Sequence, residues 1–186
     1  SEWWQERGWS VDMREEDGSL ICRIMRRDMG EKPEDRLAIG SRTIAGFALD
    51  EPGSSYRRLP EGWSLVERSG QVRGMVFDTC KVADSRGNLL GYLYGRGERL
   101  VAVEGLSPLL HLGGVVRVGD PLRQVLGLGR SLEVEPLGRN ALMVRMEGSE
   151  VRMLLAWDEG WRNPETVRNL TIQSFFLGWP PTWEEQ

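Results

Sequence analysis

The sequence is poor in the residues that do chemistry. It has one histidine, His111, and two cysteines, Cys22 and Cys80. So few, and so scattered, they give no zinc-ligand spacing. A Ser-His-Asp triad would have to use His111, but no G-x-S-x-G elbow occurs, and a histidine facing solvent or satisfied by a loop is the simpler reading. Lysine is almost missing: Lys32 and Lys81 stand alone among the arginines, a bias that a GC-rich genome explains. No run of 18 apolar residues occurs, so no membrane-spanning helix is expected, and no charged-then-apolar leader opens the chain. The net charge of −4 gives no general attraction to nucleic acid. Two cysteines allow one bridge or two buried thiols; both lie in strand-like runs, "LICRI" and "FDTCKV", and buried thiols are favoured.

What is present is alternation, glycine and tryptophan. Val11 and Met13, then Leu20, Cys22 and Ile24, alternate with polar neighbours around Asp17-Gly18, which predicts a β-hairpin. Residues 28–40 read as a polar loop. Strands are expected near 43–49, 64–68, 71–79, 88–94, 99–106, 114–118, 132–135, 140–147, 150–157 and 167–176. The clearest helix signal is "DPLRQVLGL": Asp120 suits an N-cap, Pro121 the first helical position, and Leu122, Val125 and Leu126 one apolar face.

The same plan occurs twice. With a constant offset, Leu49 falls on Val118, Pro52 on Pro121, Leu59 on Leu128, Pro60 on Gly129 and Trp63 on Leu132. Each copy runs strand, acidic turn with proline, short helix, stop, then three strands. A helix with a three-stranded meander cannot hide both faces alone, whereas two copies can share one sheet. The reading is a β-rich α+β fold in one compact unit: an N-terminal arm and hairpin over 1–40, a first repeat over 41–112, and a second over 113–186 with a Trp/Pro-rich tail.

The run Val118-Gly119-Asp120-Pro121-Leu122, with Val125 and Gly129, resembles a pattern of the β-lactamase-inhibitor-protein-like superfamily, which includes the small outer-membrane lipoprotein of the barrel-assembly machinery. The first copy departs from it, with Leu49-Asp50-Glu51-Pro52 at the turn, and residues 1–40 match nothing in it. The resemblance implies a non-enzymatic module that binds other proteins, in the cell envelope or outside the cytoplasm rather than within it.

The glycines of 113–129 invite a nucleotide-site reading, which fails. A phosphate loop needs G-x-x-x-x-G-K-[ST], and here an acid and a proline open the helix. Acid pairs such as Glu15-Glu16 and Asp158-Glu159 sit in turns. Asn169-Leu170-Thr171 fits a glycosylation sequon but falls within an expected strand. Eight tryptophans are many for this length, and seven lie near the ends. They cap the core or form a binding platform. The candidate contact residues are Trp157, Trp161, Trp179 and Trp183, with Arg23 and Arg26 of the hairpin. The expectation is a bacterial, non-catalytic interaction or structural module with a protein partner, no nucleic acid and no cofactor. The alternative is a small-molecule or glycan-binding protein using a pocket between the repeats or exposed tryptophans.

Overall fold

The computed structural model describes residues 9–26, 35–49, 56–72, 74–158 and 163–179. The chain divides into two compact units, Ser1–Asp35 and Arg36–Gln186.

The first unit is the predicted hairpin. β1 (Trp9–Glu16) and β2 (Ser19–Arg26) pair antiparallel. Asp17 and Gly18 both take positive φ, 50° and 75°, as a two-residue turn between right-twisted strands requires.

The second unit is built on an antiparallel sheet of eight strands in the order β10-β11-β12-β13-β7-β6-β5-β4. One half is β4 (Ser64–Val72), β5 (Met75–Ala83), β6 (Leu89–Arg96) and β7 (Arg99–Gly105). The other is β10 (Leu132–Leu137), β11 (Ala141–Met146), β12 (Arg152–Ala156) and β13 (Ile172–Gly178). Each half is a meander of consecutive strands. The last strand of one pairs with the last strand of the other, Phe175 opposite Gly105 and Leu177 opposite Val103. A three-stranded sheet joins β3 (Ala38–Ile39), β8 (His111–Leu112) and β9 (Val116–Arg117), the first pair parallel and the second antiparallel.

Only two α-helices occur among the described residues: α1 (Leu122–Leu126) and α2 (Pro164–Arg168). The fold is therefore β-rich with little helix. Each half has four strands, because β4 and β10, where strands near 64–68 and 132–135 are expected, join the three-stranded meander through turns at Gly74 and Gly138, both at positive φ.

One face of the sheet is the core. Leu93, Val103, Val144, Met153, Leu155 and Phe175 are buried on it, and α1 adds Leu122 and Val125. Alternation in β11 is complete, with Leu142, Val144 and Met146 buried and their neighbours half-exposed. In the first half the core face is bare at Gly91 and Gly105, which lie opposite each other. A tight turn, Ile44–Phe47, crosses there; Ile44 and Phe47 exchange both backbone hydrogen bonds, at 3.0 and 2.9 Å. A Cβ on Gly105 would stand 2.7 Å from Leu110 and 3.0 Å from Ile44. The expected strand at 43–49 is this turn, with Ala45 at φ 53° and Gly46 at φ 79°. The apolar residues of the segment plug the sheet rather than extend it.

Three local expectations are corrected. Asp120 is not the cap of α1: Pro121 holds that position, with no side-chain cap. The Asp120 carboxylate instead accepts from the Arg117 amide at 2.9 Å and closes the turn that Gly119 makes possible at φ 94°. Residues 164–168 are helical because Asn163 accepts from the Glu165 amide at 3.0 Å and Pro164 starts the turn, an N-terminal signal legible in "NPE". Asn169 is thus not in a strand; it ends α2, exposed, and its side-chain oxygen accepts from Arg123 at 2.9 Å. The helix expected in the first copy falls largely on residues outside those described.

Candidate functional site

The 119–122 turn is fully used by the fold. The Gly119 amide donates to the Ile172 carbonyl at 2.8 Å and the Leu122 amide to the Leu170 carbonyl at 2.9 Å. No bare amides remain there to cradle a phosphate.

The other reactive groups are equally committed or isolated. Cys80 is a free, buried thiol. Burial above all, with the Glu67 carboxylate adding to it, pushes the thiol up to about 11, so it stays protonated near neutral pH. His111 lies half-buried on β8, and its Nδ1 is buried without a hydrogen-bond partner among the described residues. Among the described residues no three His, Cys, Asp or Glu side chains gather as metal ligands. No helix among them is long and apolar enough to cross a membrane.

The outer face of the eight-stranded sheet is different in kind. Cross-strand register carries one row of side chains from Val66 through Lys81 and Tyr92 to Glu104, then through Phe176, Arg152 and Arg145 to Glu133. The middle of this face is closed: Tyr94, Ala102, Ser174 and Phe176 are buried. Tyr94 donates to the Glu104 carboxylate at 2.9 Å. Burial raises the Glu104 carboxyl above the usual range, and the Tyr94 hydrogen bond only partly opposes it.

The flank over β4, β5 and β6 is open. A depression of about 500 Å³ lies there, lined by Val66, Arg68, Gly70, Thr79, Lys81 and Tyr92. Val66 is 54% exposed, unusual for a valine. Arg68 and Lys81 are exposed and have no ion-pair or hydrogen-bond partner among the described residues. Arg57 behaves otherwise. It reaches Glu67 at 3.1 Å and Asp78 at 3.7 Å on the opposite side of β4–β5, with its guanidinium over the Tyr56 ring at 4.6 Å. Arg145 is likewise held by Glu133, Nε to Oε2 at 3.1 Å. A second hollow, about 380 Å³, lies between Ile39–Ser41, Leu112–Gly113, Leu128–Arg130 and Met146.

The residues expected to make contacts belong to other elements. Trp157 follows β12 half-buried against the core, and Trp179 follows β13 half-buried. Trp161 and Trp183 lie outside the described residues. Arg23 and Arg26 sit on β2 opposite Asp12 and Trp9. Sequence reasoning missed the open flank because its residues come from three strands that only register brings together. The one available signal was Lys81, a rare lysine amid strand-forming residues.

No protein-family model matches the chain, and no curated protein matches it. Among solved structures it is similar to the crystal structure of the uncharacterized protein yfeY from Escherichia coli, at 15% identity and a TM-score of 0.45, over 62% of this chain and 82% of that one. That likeness carries no argument about activity.

Proposed function

We propose that the protein is a non-catalytic binding module that holds a protein partner against the open flank of its outer sheet face. The observation that carries the reading is the depression over β4–β6, where unpaired cations, a tyrosine and an exposed valine meet. Such a mixture of aromatic, aliphatic and charged groups is what protein contact surfaces use. Two degenerate copies of one turn-and-strands unit, and a setting outside the cytoplasm, belong to the same reading through the resemblance drawn above.

The hollow between Gly40, Gly113 and Arg130 favours a second reading, a small-molecule site between the two copies. A photo-crosslinking residue placed at Tyr92, with Val134 as the control position, separates these in the native cell. One defined protein captured at Tyr92 and not at Val134 supports the module. Equal capture at both positions, or none, counts against it. Cell fractionation tests the compartment.

A further inference from the structure

We propose that the open flank takes an extended, acidic segment of the partner, laid along β4 with its carboxylates on Arg68 and Lys81. The inference rests on the binding-module reading and names the chemistry of what binds.

Charge is the first argument. Arg68 lies opposite Thr79, and Lys81 is two residues further along β5, so the cations are diagonal neighbours. Diagonal positions on a sheet are about 7–8 Å apart. Alternate side chains of an extended chain point the same way at a repeat of roughly 6.8 Å, two rises of about 3.4 Å. Carboxylates at every second residue therefore fit both cations in one pass. The acids nearest this edge do not oppose them, because Glu67 and Asp78 are held by Arg57 on the other face.

Shape is the second. Val66, Arg68 and Lys81 are all exposed, so the depression is a trough and not a chamber. Sites for small molecules bury most of the ligand. A trough with apolar contact at Val66 and Tyr92, on either side of Lys81, suits a length of chain instead.

Position is the third. β4 is the outermost strand of its half, and among the described residues no strand pairs with its far side. The opposite edge, β10, carries Glu133, Glu135 and Pro136 and would repel an acidic strand. An acidic segment lying on this face is thus directed to the β4 side, where Arg68 and Lys81 stand open.

The test is fluorescence anisotropy of the full chain with a fluorescein-labelled peptide of alternating glutamate and threonine, at low and physiological salt. The expected result is saturable binding that weakens with salt and is absent for the matching lysine–threonine peptide. Arg68→Glu with Lys81→Glu is expected to lower affinity about tenfold or more. Glu133→Lys, at the other edge, should leave it within about twofold. Arg68→Gln with Lys81→Gln keeps the test readable if charge reversal disturbs folding.

No binding of the acidic peptide, equal binding of the lysine peptide, or an unchanged double variant overturns the proposal. So does binding of phosphatidylglycerol vesicles that the double variant abolishes while the acidic peptide stays unbound. If the peptide fails but a crosslinker at Tyr92 still captures a defined protein, only the partner's chemistry is wrong. If the crosslinker also stays empty, the module reading falls with it.

Discussion

The two halves of the large sheet run through the same sequence of antiparallel strands but fill their core face by different means. In the β10–β13 half, side chain meets side chain: Leu142, Val144, Met153 and Leu155 alternate inward, and Leu122 and Val125 of α1 belong to the same core. In the β4–β7 half, loops press onto bare backbone. The Ile44–Phe47 turn and Leu110 sit against Gly105, and the Tyr56 hydroxyl lies where a Cβ of Gly95 would be, 2.6 Å away. The first kind of packing fails when atoms are removed, the second when atoms are added. The charges follow the same division. The second half closes its edge with a Glu133–Arg145 pair, while the first leaves Arg68 and Lys81 open.

Substitutions can break this contrast. Gly91→Val should have the largest effect, because a Cβ there would stand 1.9 Å from the Glu104 carbonyl oxygen, which is backbone and cannot step aside. The cost should exceed the ~1–3 kcal/mol of ordinary overpacking, and circular dichroism on heating should show no cooperative transition. Leu155→Ala in the second half removes a fully buried side chain and should cost about 3 kcal/mol by urea titration, with the fold retained. If Gly91→Val were tolerated and Leu155→Ala were not, the division would be wrong.

Glu104→Gln is expected to act through pH. The folded carboxyl binds its proton more tightly than the unfolded one, so the stability it contributes is full below the ordinary glutamate range, near pH ~4.3, and is lost as pH rises through the raised value. The melting midpoint of the parent should therefore carry a downward component over that window which Glu104→Gln lacks, the amide still accepting from Tyr94. An identical pH profile in the two proteins would show that Glu104 is solvated. The smallest effect belongs to Glu133→Gln. Its pair with Arg145 is exposed and screened, and the melting midpoint should not move measurably.

Much of the sheet was legible because glycine marks its turns and alternation marks its strands. Asp17-Gly18, Gly97 and Gly148 all take the positive φ that a tight reversal needs. The 43–49 segment was not legible, since alanine at φ 53° is rare and Ile44 and Phe47 read as strand residues until the opposed glycines that receive them are known. Asp120 was misassigned because a carboxylate before a proline suits a forward cap as well as the backward bond to Arg117 that it makes. The candidate site was hidden for a related reason. The tryptophans drew attention to the ends of the chain, whereas Val66, Lys81 and Tyr92 become neighbours only through a register that no single segment encodes.

The pairing of β7 with β13 also bears on how the molecule is made on the ribosome. Phe175 and Gly105 are opposite each other yet seventy residues apart in the chain (175 − 105 = 70). While the nascent chain is still short of β13, the finished first meander presents β7 as an open edge, its Val103 not yet covered by Leu177. An edge of that kind can recruit the wrong strand from a neighbouring chain. Closing the seam spans a long loop and comes late. For the whole of that interval β7 is the edge at which pairing with another copy is open.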